Sequence, residues 1–346
     1  MARPLPSPSE LKRAFPAPSL FTLQARQTAE RILLGKEKRL AVLVGPCSIH
    51  DPLSAREYAK RLKNLALDVE KTLFLVMRVF VEKPRSRAGW KGILYDPYLD
   101  SSHDIGSGLR IARELLVDLA SLGVPAATEL LDPLASFYLD DLVSWGLIGA
   151  RTSASPVHRQ MASRLSFPVG FKNDLFGSLE PAIFGALSAR KPHSHIGLDS
   201  FGRVSAIASS GNPLTHIVLR GSESAPNYDA ASVEYALTRL AEHKLEPRLL
   251  IDCSHGNSGK NLKRQQEAFV SVIEDASSDP NCGIAGVMLE SHLIGGKQSL
   301  SEDPGNLAYG MSITDPCLCW EETEELIRWA DEKLSLAPTS MSFVQN

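Results

Sequence analysis

The residues best suited to chemistry begin with a group of cations at the end of a short apolar run. The run Leu73–Phe80 is rich in valine and phenylalanine, which predicts a buried strand. Arg78 lies inside it, where an unpaired charge is costly, and Lys83 and Arg85 flank Pro84, which stiffens the backbone. A stiff loop that holds several cations at a strand end predicts a small ligand with more than one negative group.

More polar residues follow later apolar runs of the same kind. They are Gly45-Pro46-Cys47, Glu129, Arg151, Lys172, Arg220, Asp252 with His255, Glu290 and Asp315. With the three cations above, six cations follow strand-like runs in a slightly acidic chain. Structural ion pairs are a poor explanation for all six, because each buried charge needs its own partner. We therefore expect one or two polyanionic substrates, bound by arginine forks and lysine point charges.

Four of the residues form a second candidate set: Cys47, His255, Glu290 and Asp315. Their soft, intermediate and hard ligand atoms together suit a divalent transition metal such as manganese, iron, cobalt or zinc. Each residue also has a structural interpretation, as a packed thiol, a polar helix start, a partner of a cation and a turn former. Spacing alone leaves both interpretations open, because the four lie far apart in the sequence.

The elements that position these residues alternate regularly. Strands are predicted at Leu40–Val44, Leu73–Phe80, Pro125–Leu130, Leu147–Ala150, Val169–Phe171, His216–Leu219, Arg248–Ile251 and Ile284–Leu289. Helices are predicted at Leu53–Leu67, Gly108–Ser121, Ala135–Ser144, Pro156–Arg164, Leu179–Ala189, Ala231–His243, Lys260–Ala276 and Glu321–Leu336. Eight strand–helix pairs predict an α/β fold, a (β/α)8 TIM barrel, whose active site lies at the C-terminal strand ends. A doubly wound open sheet is the alternative, but no G-x-G-x-x-G follows the first strand.

The predicted barrel spans residues 39–338, with additions on both sides and one insertion. Residues 1–38 form an N-terminal extension, a Pro-rich segment followed by a helix over Leu23–Gly35, and residues 339–346 form a tail. An inserted β-hairpin at about 192–214, after the fifth helix, pairs His195–Leu198 with Arg203–Ala208. Insertions of this length in compact domains are often functional.

Composition excludes several classes of protein. The 346 residues are 43% hydrophobic with a net charge of -3, so no domain-wide basic excess favours nucleic-acid binding. No apolar run is long enough to span a membrane, and the N-terminus lacks the apolar core of a signal peptide. Five cysteines indicate a reduced protein, which we expect to be cytoplasmic.

Long motifs give the chain a specific resemblance from about Leu11 to about Trp329. It closely resembles the class I 3-deoxy-D-arabino-heptulosonate 7-phosphate (DAHP) synthases of the enteric and yeast type. The motifs are Gly45–Asp51, Met77–Phe80, Glu82–Arg85, Gly89–Gly92, Gly149–Thr152, Pro168–Asn173, Leu219–Gly221, Asp252–Asn257, Gly286–His292 and Gly310–Asp315. The resemblance implies a TIM barrel, a divalent metal without an organic cofactor, and a homodimer or homotetramer. It also implies a transferase, 3-deoxy-7-phosphoheptulonate synthase, which joins phosphoenolpyruvate to erythrose 4-phosphate at the start of the shikimate pathway to aromatic amino acids.

Carried over residue by residue, the resemblance assigns roles to the strand-end residues. The metal ligands fall on Cys47, His255, Glu290 and Asp315. Phosphoenolpyruvate contacts fall on Arg78, Lys83, Arg151, Lys172 and Arg220, with Glu129 and Ala150 nearby. Aldose-phosphate contacts fall on Lys83, Pro84, Arg85 and Ser86, where the family often has threonine, and Asp315 also faces substrate. The catalytic residues are Lys83, His255 and Cys47. Lys83 is the expected proton donor, with His255 or a metal-bound water as the alternative.

Departures from the family concern regulation. The chain opens without the longer N-terminal arm that helps feedback-regulated relatives bind an inhibitory amino acid. The segment Lys172–Gly177 reads differently from the family after the fifth strand, and the hairpin has His195 and Gly197 where relatives have an aromatic residue and often serine. In those relatives the hairpin forms the inhibitor pocket. We therefore expect weakened, altered or absent inhibition by phenylalanine, tyrosine and tryptophan.

Other activities remain as alternatives. A sister synthase acting on another aldose phosphate, such as 3-deoxy-manno-octulosonate 8-phosphate synthase, is disfavoured by the Lys83–Ser86 and Gly89–Gly92 motifs. An amino-sugar variant of the same reaction stays open, because the sequence does not report the preferred aldose. A non-catalytic family member is disfavoured because no ligand or cation is lost. A zinc hydrolase would need histidine-rich ligation, which nine scattered histidines do not provide.

Overall fold

Eight parallel strands close into a barrel in the computed structural model, which describes residues 3–18, 20–85, 89–301 and 303–336. The strands of the barrel and of two smaller two-stranded sheets are, in chain order, β1 Leu40–Gly45, β2 Leu73–Arg78, β3 Ala126–Glu129, β4 Trp145–Ile148, β5 Val169–Lys172, β6 His193–Leu198, β7 Val204–Ser209, β8 Thr215–Leu219, β9 Leu249–Asp252, β10 Ile284–Glu290, β11 Ile294–Lys297 and β12 Met311–Ser312. The barrel order is β1-β10-β9-β8-β5-β4-β3-β2. The predicted TIM barrel is confirmed.

Helices surround the barrel, as expected where each parallel strand needs a crossover back to the same edge. They are α1 Pro8–Ala14, α2 Phe21–Leu33, α3 Pro52–Asp68, α4 Ile105–Leu122, α5 Ser136–Leu139, α6 Pro156–Arg164, α7 Glu180–Ala189, α8 Ala230–Glu242, α9 His255–Ser258, α10 Leu262–Ser278 and α11 Trp320–Ser335, with a 3-10 turn at Pro304–Asn306. Among the described residues, none of these helices is long and apolar enough to cross a membrane.

The interior of the barrel is filled with side chains and closed at its N-terminal end. Ile32 and Leu33 of α2 belong to the same buried cluster as Leu43, Trp145 and other inward-facing strand residues. The guanidinium of Arg248, just before β9, donates to the Ile32 carbonyl at 3.4 Å, which places α2 at this end. The opposite, C-terminal end is therefore left for a polar site.

The inserted hairpin is confirmed, and α1 packs beside it. Strands β6 and β7 pair as a separate antiparallel sheet between α7 and β8. The amide of Ser9 in α1 donates to the Ser200 carbonyl at the hairpin turn, at 2.8 Å. Lys12 of the same helix pairs with Asp140 at 2.6 Å. The N-terminal segment thus lies against the body of its own chain.

Several predicted boundaries were wrong for identifiable reasons. The helix predicted over Ala135–Ser144 is only the turn Ser136–Leu139. Asp140 and Asp141 follow it, where carboxylates oppose the helix dipole, and they pair instead with Lys12, Arg164 and Arg113. The fourth strand is displaced towards the N-terminus, at Trp145–Ile148, because Trp145 packs inside the barrel and Gly149 already turns. The helix α1 and the pair β11–β12 were not predicted.

The helix predicted from Lys260 begins only at Leu262. Gly259 and Lys260 both adopt left-handed backbone angles, with φ of 58° and 62°. That conformation ends the short helix α9, and the side chain of Asn261 then caps α10 by accepting from the Arg264 amide. The correction matters for function, because it leaves Lys260 in a loop at the barrel mouth.

Candidate active site

Arg78, at the end of β2, is a fully buried cation with unused hydrogen-bonding capacity. Its Nη2 donates to Glu290 Oε1 at 3.0 Å, and its guanidinium lies 4.1 Å from the centre of the Phe80 ring. Its Nε and Nη1 have no hydrogen-bond partner among the described residues. Buried donors normally find partners, so these two N–H groups fit an anionic ligand that reaches the floor of the site.

The loop after β2 brings Lys83 against Cys47. Lys83 Nζ lies 3.1 Å from Cys47 Sγ and 3.2 Å from its carbonyl oxygen, and the Lys83 amide donates to the Lys91 carbonyl. Burial alone would lower the pKa of Lys83, but Cys47, Glu290 and two further acidic groups outweigh it and raise the pKa. Lys83 is therefore held as an ammonium inside the protein.

A close backbone approach fixes this loop. Gly92 has φ of 111°, and a Cβ built there would lie 2.3 Å from the Val81 carbonyl oxygen. Arg85 Nε donates to the Trp90 carbonyl at 2.8 Å, so the loop folds back on itself. Pro84 and Arg85 reach the cavity wall. Ser86, the fourth predicted aldose-phosphate contact, lies outside the described residues.

Three of the four predicted metal ligands converge. One ligand atom each from Cys47, Glu290 and Asp315 lies within 4.8 Å of the others, and the Asp315 amide lies 3.4 Å from Cys47 Sγ. Burial raises the pKa of Cys47, and the nearby Glu290 carboxylate raises it further, so a cation at this point would favour the thiolate. One thiol and two carboxylates are a donor set that fits a divalent transition metal.

His255, the fourth predicted ligand, stands beside this group. Its Nε2 is 3.7 Å from Glu290 Oε1, and its Nδ1 is 2.9 Å from Asp252 Oδ2. The backbone at His255 is left-handed, with φ of 53°, which is uncommon for a residue with a side chain. With Nδ1 at the Asp252 carboxylate, Nε2 is left facing Glu290.

Asp252 also holds the cation at the end of β5. Lys172 Nζ donates to Asp252 Oδ2 at 2.8 Å, and both side chains are buried. Burial would raise the pKa of Asp252, but His255 and Lys172 hold that pKa well below its usual range. One carboxylate therefore links the metal-binding half of the site to a predicted substrate cation.

A cavity of about 250 Å³ joins the two halves at the C-terminal end of the barrel. Its lining brings together most of the predicted site residues: Lys83, Pro84, Arg85, Glu129, Ala150, Arg151, Lys172, Arg220, His255 and Asp315. Cys47, Arg78 and Glu290 lie beneath its floor, in contact with Lys83 or with one another. Apart from Ser86, every predicted site residue is at this mouth or directly under it.

Gly149 allows the turn after β4 to sit next to Glu129. A Cβ at Gly149 would lie 2.5 Å from Glu129 Oε1, closer than any real contact. The turn carries Ala150 and Arg151 to the cavity wall. Glycine at this position therefore lets the carboxylate and the arginine share one wall of the cavity.

Lys260 is a cavity residue that sequence reasoning missed. Its Nζ forms an ion pair with Asp315 Oδ1 at 2.8 Å, and this bond helps to keep the pKa of Asp315 below its usual value against the effect of burial. The sequence pattern predicts Lys260 as the first residue of a helix, away from any strand end. The signal that was available is Gly259, which stops the short segment after His255.

Glu82 belongs to the motif Glu82–Arg85 and connects two of the loops at the cavity. Its carboxylate accepts hydrogen bonds from the amides of Leu131 and Asp132, and the Tyr95 hydroxyl donates to Asp132 Oδ2 at 2.8 Å and lies 3.4 Å from Glu82 Oε1. Burial, together with the nearby Asp132 charge, raises the pKa of Glu82 to about 8. Glu82 therefore ties the loop that carries Lys83 and Arg85 to the loop that follows Glu129.

Comparison with known proteins agrees with this arrangement. Residues 21–328 match the DAHP synthetase I family. The chain is 46% identical to the Tyr-sensitive phospho-2-dehydro-3-deoxyheptonate aldolase of Salmonella typhimurium, over 96% of this chain and 93% of the relative. It is 47% identical to the Phe-sensitive enzyme of Escherichia coli, over 88% and 86% of the two chains.

A solved structure has nearly the same fold as this chain. The phospho-2-dehydro-3-deoxyheptonate aldolase of Francisella tularensis superimposes with a TM-score of 0.93 at 38% identity, covering 98% of this chain and 99% of the other. Sequence and structure therefore agree over nearly the whole length. The chain belongs to the DAHP synthetase I family.

Proposed function

We propose that the protein is a DAHP synthase, which condenses phosphoenolpyruvate with erythrose 4-phosphate and water to give DAHP and inorganic phosphate. The observation that carries the proposal is the buried guanidinium of Arg78 with two unpaired N–H donors, next to a thiol–carboxylate group. Few ligands would pair with a buried guanidinium and also react beside a metal. Phosphoenolpyruvate would do both, because it is a compact polyanion.

Phosphoenolpyruvate would span the cations from the floor of the cavity to its rim. It carries about three negative charges near neutral pH. Arg78 and Lys83 would hold the carboxylate at the floor, and Arg151, Lys172 and Arg220 would hold the phosphate. Arg220 is oriented through its own backbone, because its amide donates to Asn173 Oδ1 at 2.8 Å. Glu129 and the backbone at Ala150 would complete the wall around the phosphate.

The aldose phosphate would enter from the side of the β2 loop. Arg85, exposed at the rim, and Ser86 would bind its phosphate, while Pro84 and Asp315 would line the path of its carbon chain. This leaves the aldehyde end pointing towards Lys83 and Cys47. The two substrates would then meet beside the Lys83 ammonium, which is among the proposed contacts of both.

A divalent cation would be held by Cys47, His255, Glu290 and Asp315. The mixed donor atoms of these residues fit manganese, iron, cobalt or zinc. Such a cation supplies Lewis acidity towards a carbonyl oxygen when it is bound. Asp252 supports His255, and Lys83 neutralises charge next to Cys47. Carboxylates that orient a ligating histidine in this way commonly raise its affinity for the metal.

Lys83 is the proposed proton donor in carbon–carbon bond formation. The methylene carbon of phosphoenolpyruvate attacks the aldehyde carbon, and Lys83 gives a proton to the oxygen that becomes a hydroxyl group. Water adds to C2 of phosphoenolpyruvate, and one of its protons restores the Lys83 ammonium while the other leaves with the phosphate. The bond from C2 to the bridging oxygen then breaks, and that oxygen leaves with phosphorus as inorganic phosphate. His255 is the alternative donor, at the other side of Glu290.

The test is product formation from the two substrates. We expect DAHP and one equivalent of phosphate from phosphoenolpyruvate and erythrose 4-phosphate when manganese is present. Other aldose phosphates and amino-sugar phosphates are supplied in parallel. Faster turnover with one of these would move the proposal to a sister reaction, and absence of product with every aldose would contradict it.

Weak or absent feedback inhibition is part of the proposal. In this chain the Phe137 ring and Ile207 fill the space over Gly197 of the hairpin, where a Cβ would lie 2.7 Å from Phe137 Cζ. The Arg164 guanidinium also lies over the Phe137 ring, 4.0 Å from its centre. Relatives of similar identity are named Tyr-, Phe- and Trp-sensitive, so overall similarity does not select an effector.

Each aromatic amino acid is therefore added to the assay at sub-millimolar concentration. We expect less than twofold inhibition by any of them, because side chains of the protein already occupy the space beside the hairpin. A Phe137→Ala variant serves as the comparison, since it reopens that space without touching the cavity. Abolition of wild-type activity by one amino acid would contradict this part of the proposal.

Self-association as a homodimer or homotetramer also belongs to the proposal. The hairpin exposes apolar side chains in alternation, with Ile196 81% and Val204 77% exposed. Apolar side chains concentrated on one exposed hairpin favour burial against another surface. Analytical ultracentrifugation of the wild type and of Ile196→Ser tests this. A monomeric wild type would contradict it.

A further inference from the structure

A second and larger chamber opens directly beside the proposed active site. Its volume is about 600 Å³, and it lies between the loop after β8 and the segment that links β9 to α10. Its charged lining consists of Arg151, Arg220, Lys260, Arg264, Glu223 and Glu267, with His255 at one edge. The proposed contacts of both substrates are made in the active-site cavity, so neither substrate needs to occupy this chamber.

The chamber and the active-site cavity share a wall made of cations. Arg151, Arg220 and Lys260 line both spaces. Arg220 is the most buried of them, at 8% exposure, and Arg151 is exposed. Arg151 and Arg220 are also the proposed contacts of the phosphate of phosphoenolpyruvate. An anion released beside Arg151 and Arg220 can therefore enter the chamber while it stays in contact with these two guanidinium groups.

Arg264 supplies a further cation at the far side of the chamber. It is exposed, and its side chain makes no ion pair or hydrogen bond with the described residues. Its guanidinium Nη1 lies 3.7 Å from the position of a Cβ on Gly259, which directs it across the loop that carries Lys260. The carboxylates of Glu223 and Glu267 lower the affinity of the chamber for anions, which suits a ligand that must leave.

We propose that this chamber receives the inorganic phosphate released by the reaction, with Arg264 as its outer contact. The inference rests on the proposed function, which supplies the phosphate. Phosphate carries close to two negative charges at neutral pH, so each guanidinium along the path contributes to holding it. The chamber then gives the leaving phosphate a route that does not cross the space occupied by the sugar product.

Product inhibition by inorganic phosphate tests the proposal. Phosphate bound in the phosphoenolpyruvate site competes with phosphoenolpyruvate, whereas the chamber stays open when that substrate is bound. Erythrose 4-phosphate is kept saturating, so that its own phosphate contacts are occupied. We expect the wild type to show a noncompetitive component, measured as an intercept effect at varied phosphoenolpyruvate. Arg264→Gln should raise the intercept inhibition constant about three- to fivefold, the effect of one exposed charge contact, and leave the KM for phosphoenolpyruvate within twofold.

Lys263→Gln is the matched control. Lys263 is also exposed, precedes Arg264 on the same helix, and does not line the chamber. It should behave as the wild type, and Arg264→Lys should retain most of the effect. Purely competitive inhibition in the wild type, or equal constants in the two glutamine variants, would overturn the proposal.

Equilibrium dialysis adds a measurement without turnover. Labelled inorganic phosphate is dialysed against protein saturated with phosphoenolpyruvate in the absence of any aldose. The wild type and Lys263→Gln should retain phosphate, and Arg264→Gln should retain less. No retained phosphate would overturn the inference while leaving an active synthase intact. A wild type that forms no product with any aldose would instead defeat the proposed function, and this inference with it.

Discussion

At the residue scale, the site depends on charges that are buried in contact with one another. Arg78 pairs with Glu290, Lys83 contacts Cys47, and Lys172 pairs with Asp252. Each pair joins a proposed substrate cation to a proposed metal ligand or to the carboxylate behind one. Buried pairs of this kind contribute little net stability, because desolvation offsets their attraction. Their placement is therefore better explained by ligand binding than by folding.

Lys83→Met is expected to lower kcat by about a hundred- to ten-thousand-fold, the range for loss of a positioned proton donor. Methionine keeps most of the length of the aliphatic chain, and the four proposed metal ligands are untouched, so the metal content should stay near the wild-type value. Metal analysis and steady-state kinetics on the same preparation measure both quantities.

Lys91→Met is the control for that change, since Lys91 is exposed on the same loop. It should leave kcat within twofold. Activity of Lys83→Met within a few-fold of the wild type would rule out Lys83 as the donor and point to His255.

At the scale of elements, the loops after β2 and β3 act as one unit. Glu82 accepts two backbone amides from the β3 loop, and Tyr95 bridges Glu82 and Asp132. His158 of α6 lies 2.8 Å from the Leu131 carbonyl and braces the same loop from below. These bonds hold the segment that carries Lys83 and Arg85, which has no regular secondary structure of its own.

Glu82 also predicts a pH dependence of stability. Its pKa is raised to about 8 in the folded chain from an ordinary 4.5. Between these values the unfolded chain has released the proton and the folded chain retains it, so the free energy of unfolding falls as pH rises. The maximum slope for one such group is about 1.4 kcal/mol per pH unit. Denaturant unfolding between pH 4.5 and 8 should be flatter for Glu82→Gln than for the wild type.

The opposite result would be equally clear. If the unfolding free energies of Glu82→Gln and the wild type run parallel across this range, Glu82 is ionised in the folded protein. The two backbone amides that donate to Glu82 would then stabilise its carboxylate.

Sequence patterns predicted the strands better than the turns. Runs such as Leu40–Val44 and Ile284–Leu289 are buried on both faces, so their apolar composition identifies them directly. The strand-end rule of the barrel then located Arg78, Lys172 and Glu290. It missed Lys260, because a left-handed backbone after Gly259 is a local choice that apolar periodicity does not encode. The contacts of Glu82 were also invisible, since they join loops about 50 residues apart.

At the scale of the whole molecule, stability and chemistry occupy opposite ends of the barrel. The helix α2 closes the N-terminal end with Ile32 and Leu33, and the charged cavity opens at the other end. This separation is typical of the fold. It allows a polar, cation-rich mouth in a chain whose net charge is only -3.

Ile32→Ala should therefore separate the two properties. Ile32 is completely buried, so the variant is expected to lose about 2–5 kcal/mol of unfolding free energy through the cavity it creates. Its KM for phosphoenolpyruvate should stay within twofold at a temperature where the variant is folded. Chemical denaturation and kinetics measure the two effects, and a large change in KM would show that the ends of the barrel are coupled.

The most direct test of the central claim is a titration of manganese into chelator-stripped protein, with DAHP formation followed at each addition. We expect negligible activity without metal and a rise to a plateau at one manganese per chain, with no such rise for a Glu290→Gln variant. Full activity in protein that retains no metal, or a plateau reached equally by Glu290→Gln, would contradict it.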